Sequence, residues 1–193
     1  MNVLDARYWT KRYSEGATGW DIGRPSPPLM DYAESVAKDS QILIPGAGNA
    51  HDWIELKRIG YEHVFALDFA SEPLDRLRSL YPQWSDGLIQ EDFFDHQGSY
   101  DLIFEQTFFC ALAPNRRADY VKKMSDLLSD EGLLVGVLFT VEFEREGPPF
   151  GGSENEYLPL FQTHFDLQKM EPCLNSIPPR QGSELFFVAR KKG

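Results

Sequence analysis

The chain of 193 residues, with 42% apolar and 25% charged side chains, has the size and composition of one globular domain with a sizeable core. Its net charge of −11 argues against a nucleic-acid partner, which asks for a basic stripe matched to phosphates. No apolar run approaches the roughly 18 to 20 residues that span a bilayer, so a small diffusible partner and no membrane are expected.

The N-terminal stretch MNVLDARYWTKRYSEG mixes charges with aromatics and has no apolar h-region, so it does not read as a secretory leader. Residues 4–16 read as a short aromatic-rich helix. The segment GATGWDIGRPSPPLM is dense in Gly and Pro and reads as a loop leading into a helix over 27–37. No repeat or linker divides the chain, so 1–193 is expected to be a single domain with residues 1–26 as an N-terminal lid.

From residue 41 the pattern alternates. The apolar runs QILIP, HVFALD, GLIQE, YDLIFEQ and GLLVGVLF are separated by stretches that read as helices. After Pro114, the residues Tyr120, Met124, Leu127 and Leu128 fall at helical spacing, and SDEG at 129–132 reads as the stop. Strands alternating with helices imply an α/β fold with a doubly wound parallel sheet covered on both faces. The end departs from this: HFDLQKMEP and SELFFVARKK read as two strands joined by CLNSIPPRQG with no helix between them. A terminal hairpin on a parallel sheet requires one antiparallel strand near the edge.

Three strand ends carry the chemistry. After the first strand come Gly46-Ala47-Gly48-Asn49-Ala50, small residues that let a ligand approach a helix N-terminus closely. The same residues also read as a simple tight turn. The second strand closes on Asp68, which lies 20 residues beyond Gly48, the separation at which a carboxylate meets the ribose of a bound nucleotide. Ser71, followed by Glu72 and Pro73, reads as the cap of the next helix and leaves Asp68 for that role. The third strand ends in QEDFFDH, where Asp92 could accept from an adenine amine and Phe93 pack on the ring, or both could serve a loop and the core. His51-Asp52 opens a helix, where Asp52 suits the positive end of the dipole. The other histidines are scattered without metal-ligand spacing. Cys110 and Cys173 fit neither a disulfide framework nor a zinc pattern, and Cys110 reads as a small buried hydrophobe. A cytoplasmic monomer without a metal is the expectation.

Two nucleoside cofactors suit these motifs, a nicotinamide dinucleotide and S-adenosylmethionine. A dinucleotide needs a second mononucleotide-binding half, for which the chain leaves little room, and no Tyr-x-x-x-Lys pair is present. The terminal hairpin also suits a methyltransferase sheet better.

The ordered set Trp9-x-x-x-Tyr13, EGATGWDIGRPSP, LIPGAGNAHD, ALDFA, EDFF, YDLIFEQTFFCALAP, GLLVGVLF and EGPPF resembles the thiopurine S-methyltransferase family, including its thiol and halide methyltransferase branch. The resemblance implies a Rossmann-like seven-stranded sheet of order 3-2-1-4-5-7-6 with strand 7 antiparallel. It implies S-adenosyl-L-methionine as cofactor and a small soft nucleophile as acceptor: a thiol, sulfide, halide, metalloid or thiopurine. Carried over by position, Trp9, Tyr13, Trp20, Gly46 and Gly48 surround the methionine part. Asp68 and Phe69 lie at the ribose, Asp92 and Phe93 at the adenine, and Glu105 at the cofactor. Arg24, Gln106, Thr107, Phe143 and Phe150 fall to the acceptor, with Arg24 read first as a lid-anchoring salt bridge. The family often has Asp-Tyr or Asp-Arg where this chain has Glu105-Gln106. No general base is implied, because a soft anion attacks a sulfonium methyl without one, so no catalytic residue in the strict sense is expected. A single-domain NAD(P)-dependent oxidoreductase and a module that binds S-adenosylmethionine without turnover remain the alternatives.

Overall fold

Ile42–Pro45 forms β1, and all four of its side chains are buried, as expected of a strand covered on both faces. The computed structural model describes residues 4–144 and 147–193. In chain order the first elements are α1 (Ala6–Ser14), α2 (Pro27–Ala33), β1, α3 (His51–Arg58), β2 (Val64–Asp68), α4 (Ser71–Leu80) and β3 (Leu88–Gln90). They are followed by β4 (Tyr100–Gln106), α5 (Arg117–Leu127), β5 (Leu128–Phe139), α6 (Glu154–Phe161), β6 (Phe165–Pro172) and β7 (Glu184–Lys191). The seven strands form one sheet of order β3-β2-β1-β4-β5-β7-β6. β7 runs antiparallel to both β5 and β6, and the other pairs are parallel. This is the fold that the resemblance implied, hairpin included.

Alternation along the strands divides the core in two. Ile42 and Ile44 face Leu29 of α2, Trp53 and Leu56 of α3, and Leu74 of α4. Leu43, between them, faces the opposite layer with Tyr120 and Met124 of α5 and Phe161 of α6. Among the described residues, no helix is long and apolar enough to cross a membrane, and no cluster of three or more His, Cys, Asp or Glu could hold a metal.

Three local expectations are corrected. The helix expected over 27–37 ends at Ala33, because the Ala33 carbonyl accepts from the Tyr61 hydroxyl and from the Val36 N–H, which bends the chain away. No helix joins β3 to β4; residues 91–99 are irregular chain with one turn at 93–95. SDEG does not make a loop, since α5 passes directly into β5 and the irregularity is absorbed there, with Glu131 at φ 63°.

Two contacts position the region above β1. Asp52, in the first turn of α3 and 6% exposed, accepts from the Ser26 N–H at 2.6 Å, tying the segment before α2 to α3. Gly136 of β5 sits opposite Glu105 of β4, so close that an added Cβ would lie 2.6 Å from the Glu105 carbonyl oxygen.

Gly136→Ala should therefore lower stability by about 1–3 kcal/mol through overpacking, read as a lower urea midpoint. Gly19→Ala, whose Cβ meets nothing within 4 Å, should stay within about 0.5 kcal/mol of the parent. Burial, partly offset by the Ser26 N–H and by His51, raises the Asp52 carboxyl to about 6. An unfolded Asp titrates near 3.9, so the folded chain holds an extra proton between those values. Stability drawn from this group thus falls as pH rises across that window and is flat above it. Asp52→Asn should remove the slope. Its stability relative to the parent, read by urea unfolding, should therefore rise between pH 4 and 6.5 by on the order of 2 kcal/mol.

Candidate functional site

The turn after β1 is built by conformations that most side chains avoid. Gly46 (φ 61°), Gly48 (φ 52°) and Ala50 (φ 52°) are all left-handed. Space as well as backbone conformation limits the two glycines: a Cβ on Gly46 would strike the Phe108 ring, and one on Gly48 would strike the Tyr13 hydroxyl. The turn is held from β2. The Gly48 N–H donates to Asp68 Oδ2 at 2.8 Å, and the Ala70 N–H donates to Asp68 Oδ1 at 2.9 Å. Burial raises the Asp68 carboxyl, and the N–H groups of Ala70, Gly48 and Phe69 work against that rise.

Asp68 was expected to be spared by a Ser71 cap. The structure corrects this: α4 has Ala70 at its N-cap without a side-chain hydrogen bond, and Asp68 itself receives the Ala70 N–H. It braces the glycine turn from behind. His51 and Asp52 also do more than open α3, whose N-cap is Ala50 without a side-chain bond. Asp52 holds Ser26, and His51 Nε2 lies 2.8 Å from Asp21 Oδ1.

The N-terminal segment folds over the turn. Tyr13 and Trp20 pack edge to face at 5.7 Å, with Trp9 against Trp20 at 5.2 Å. Tyr13, Trp20, Ile22 and Arg24 line a cavity of about 60 Å³ whose floor is Gly46 to Asp52 and whose far wall is Gln106 and Thr107. Arg24 is exposed at the cavity. The anchoring role expected of it falls to Asp21, Ser26 and Arg180. Asp21 Oδ2 accepts from Asn49 Nδ2, and Asn49 Oδ1 accepts from Arg76 of α4. Burial opposes ionisation of Asp21, but the Gly23 N–H, Asn49 and His51 together hold its carboxyl below the usual range. From the β6–β7 turn, Arg180 donates to the Trp20 carbonyl at 2.6 Å and pairs with Glu184 at 3.2 Å.

At the end of β4, Thr107 is also left-handed, at φ 60°. Gln106 has a buried Oε1 with no hydrogen-bond partner, and it lines both this cavity and a smaller one bounded by Ile22, Arg180 and Glu184.

The structure brings Tyr13, Trp20, Arg24, Gly46, Gly48, Gln106 and Thr107 together around one cavity, with Asp68 directly behind. Others lie elsewhere. Trp9 backs Trp20. Phe69 is half-buried beside Asp68. Asp92 accepts from the Phe94 N–H at 2.9 Å, and Phe93 is 5% exposed with its ring against Phe108 and Tyr120. Glu105 is fully buried and accepts from the Phe108 and Phe109 N–H groups and the Tyr120 hydroxyl. Its side chain does not reach the cavity expected of it. Phe143 packs on Phe139 at 5.2 Å, and the Phe150 N–H donates to the Cys110 carbonyl at 2.7 Å; neither residue lines this cavity, and Arg145 and Glu146 between them lie outside the described residues. Sequence reasoning missed Asp21, Asn49 and Arg180. Asp21, in GWDIGRPSP, carried a detectable signal as the one carboxylate in a Gly- and Pro-rich loop; Arg180 carried none.

The residues present fit a nucleoside cofactor. The glycine turn forms the floor of the cavity, the carboxylate of Asp68 braces that turn from β2, and Gln106, whose buried Oε1 has no hydrogen-bond partner, is part of the cavity wall.

Comparison with known proteins agrees. The profile of the thiopurine S-methyltransferase (TPMT) family matches residues 4–186. The chain is 29% identical over 184 residues to "Probable thiol methyltransferase 2" of Arabidopsis thaliana, spanning 91% of this chain and 81% of that protein. It is 28% identical over 179 residues to a thiopurine S-methyltransferase of Vibrio cholerae, spanning 82% of each. In structure it superposes with a TM-score of 0.78, at 18% identity, on the 1,6-didemethyltoxoflavin-N1-methyltransferase of Burkholderia thailandensis, which was crystallised with S-adenosylhomocysteine; the match covers 98% of this chain and 88% of that one. With the sheet order and the glycine turn already in place, the chain belongs to the thiopurine S-methyltransferase family and is an S-adenosylmethionine-dependent methyltransferase.

Proposed function

We propose that the protein methylates a small soft nucleophile, a thiol before a sulfide, halide or metalloid anion, in the space between the N-terminal lid and the end of β4. The observation that carries this reading is the aromatic lid over the glycine turn, with Gln106 and Thr107 as the opposite wall. The names of the relatives, thiol and thiopurine methyltransferases, support the acceptor class.

S-adenosylmethionine, when bound, supplies a sulfonium-held methyl group to an in-line nucleophile. Gly46 and Gly48 let the cofactor lie against backbone, and Asp68 offers its carboxylate to the ribose. Phe69, Asp92 and Phe93 take the adenosine side, with Phe93 acting from within the core. Tyr13 and Trp20 present aromatic rings to a cation, an attraction of about 0.5–2 kcal/mol, and Trp9 stiffens Trp20. The closed lid excludes water from the nucleophile, which removes hydration that would otherwise slow attack. Positioning by Gln106 and Thr107 then accounts for several kcal/mol of the barrier. A thiolate needs no general base, and the carboxylates nearest the cavity are already engaged: Asp21 with Asn49 and His51, Asp52 with Ser26.

The cavity of about 60 Å³ is smaller than the roughly 300–1,000 Å³ of sites for ligands of this size, so loading requires the lid to lift. Its anchors are few hydrogen bonds to Asn49, His51, Asp52 and Arg180. We take the 193 residues as one domain, with the expected 1–26 lid carried by residues 4–26; residues 1–3 lie outside the described residues. Arg24, Phe143 and Phe150 complete the acceptor side. The acidic net charge of −11 argues against nucleic-acid binding, and we keep a cytoplasmic monomer as part of the proposal.

In parallel reactions with sulfide, iodide, an aromatic thiol and a thiopurine, S-adenosylhomocysteine release measured by mass spectrometry should be greatest with a thiol. Cofactor binding without turnover on any of the four would favour a sensing module. Asp68→Ala should weaken S-adenosylhomocysteine by about 10- to 150-fold, the range of a lost charge-assisted hydrogen bond. Unchanged affinity in titration calorimetry would remove Asp68 from the ribose.

A further inference from the structure

Glu105 is a carboxyl buried completely, yet it touches no cofactor or acceptor space. Its oxygens are fully employed. Oε1 accepts from the Phe108 N–H at 2.7 Å and the Phe109 N–H at 2.9 Å; Oε2 accepts from the Tyr120 hydroxyl of α5 at 2.5 Å. The two N–H groups belong to the turn that immediately follows Gln106 and left-handed Thr107, the residues on the cavity wall. From the same turn, Cys110 Sγ bonds the Thr107 carbonyl at 3.2 Å, and the Cys110 carbonyl receives the Phe150 N–H. Arg117 of α5 joins the far side, donating to the Gly151 carbonyl at 2.7 Å with its guanidinium 4.8 Å from the centre of the Phe109 ring. On the β5 side, Gly136 leaves Glu105 no room to move, since even a Cβ there would collide with it. One carboxyl thus clamps the wall turn to α5, and through Cys110 to the loop at Phe150.

We infer that Glu105 is a positioning residue for the acceptor: it sets the orientation of Gln106 and Thr107, and its protonation loosens them. This rests on the reading of Gln106 and Thr107 as the acceptor wall. The clamp depends on charge. An ionised carboxylate is the stronger acceptor for three donors, and a protonated one must turn one oxygen into a donor.

Among the described residues, the surroundings supply no compensating cation at contact. Tyr120 faces Glu105 from α5, and burial holds its hydroxyl well above the usual range. Cys110 faces it from the turn, its thiol also pushed up by burial and then by Glu105. β5 contributes only the Gly136 backbone. The Arg180–Glu184 pair and Arg117 stand beyond Cys110 and Phe109, each with its own partner. Burial accordingly raises the Glu105 carboxyl to about 7, against the pull of Tyr120 and the Phe109 and Phe108 N–H groups. The clamp is at full strength with the carboxyl ionised. On protonation Oε1 can keep the two N–H groups, but as a weaker acceptor, and Oε2 must turn from acceptor to donor toward Tyr120, so the clamp weakens as pH falls through neutrality.

The test compares the full-length parent with Glu105→Gln and Tyr120→Phe between pH 5.5 and 8.5, using whichever of the four acceptors turns over best. Acceptor KM is read as a ratio to Glu105→Gln, so that the acceptor's own ionisation cancels. The parent's ratio should rise as pH falls through neutrality, with kcat moving less than KM. Tyr120→Phe, which loses one donor to the carboxylate, should move the inflection to higher pH. S-adenosylhomocysteine affinity should stay within about twofold in all three proteins, because Glu105 does not reach the cofactor. A pH profile shared by the parent and Glu105→Gln, or cofactor affinity that falls in step with acceptor KM, would overturn the assignment. If the parent turns over none of the acceptors, the substrate reading fails, and amide hydrogen exchange with S-adenosylhomocysteine present decides the clamp separately. After correction for intrinsic rates, protection of the Phe108 and Phe109 amides should drop at low pH in the parent alone. Equal protection in the parent and Glu105→Gln across the range would sink it.

Discussion

A hydrogen bond from the Gly48 N–H to Asp68 joins the ends of two neighbouring parallel strands, and most of the site depends on it. β1 and β2 stop at the same edge of the sheet because they pair in parallel from Ile42 with Val64 to Pro45 with Leu67. The chain leaving β1 must then reverse into α3 within a few residues, which requires left-handed backbone at Gly46, Gly48 and Ala50. Backbone N–H groups in such a turn point outward and need acceptors. Asp68 supplies one, at the expense of burying a carboxylate, and the energetic tension is visible in its raised affinity for a proton. Strain and buried charge of this kind persist where the surrounding structure over-determines them.

The lid shows the opposite balance. It is anchored by polar contacts to several elements: Asp21 with Asn49 and His51, Ser26 with Asp52, Trp20 with Arg180. No residue of α1 is fully buried; its Trp9 and Tyr13 are half-buried and pack against Trp20. A sheet held by two apolar layers and a cover held by a few hydrogen bonds and half-buried aromatics have different stabilities, and under the proposed function the cover, as the weaker of the two, would be the part that opens. Gln106 and Thr107, on the cavity wall, stand on the other side of that division. They follow directly from β4 and are backed by Glu105, so under the proposed function the core would aim the nucleophile and the N-terminal segment would enclose it.

Much of this was legible in the chain. The apolar runs located the strands, and the missing helix between the last two identified the antiparallel hairpin, because those signals are set by local hydrophobic period. Gly46, Gly48 and Asp68 were found by spacing, since a strand–turn–helix unit has nearly constant length. Helix ends were read less well. Ala33 ends α2 because Tyr61, from after α3, takes its carbonyl, and no residue near Ala33 announces that. Phe93 follows the end of β3, where the sequence left adenine contact and core packing open, and Glu105 came to the cofactor only through the resemblance. Their side chains pack on Phe108 and Tyr120, which come from elsewhere in the chain.

The sequence by itself determined the order of elements, the sheet class and the glycine turn with its carboxylate, all of which arise from periodicity and short-range spacing. Only the tertiary structure decided what the charged residues do. Asp52 binds Ser26, His51 binds Asp21, and Arg180 reaches Trp20 across 160 positions. The physical reason is that a buried polar group must find a partner in space, and the partner it finds is set by how the layers pack, which no local pattern encodes.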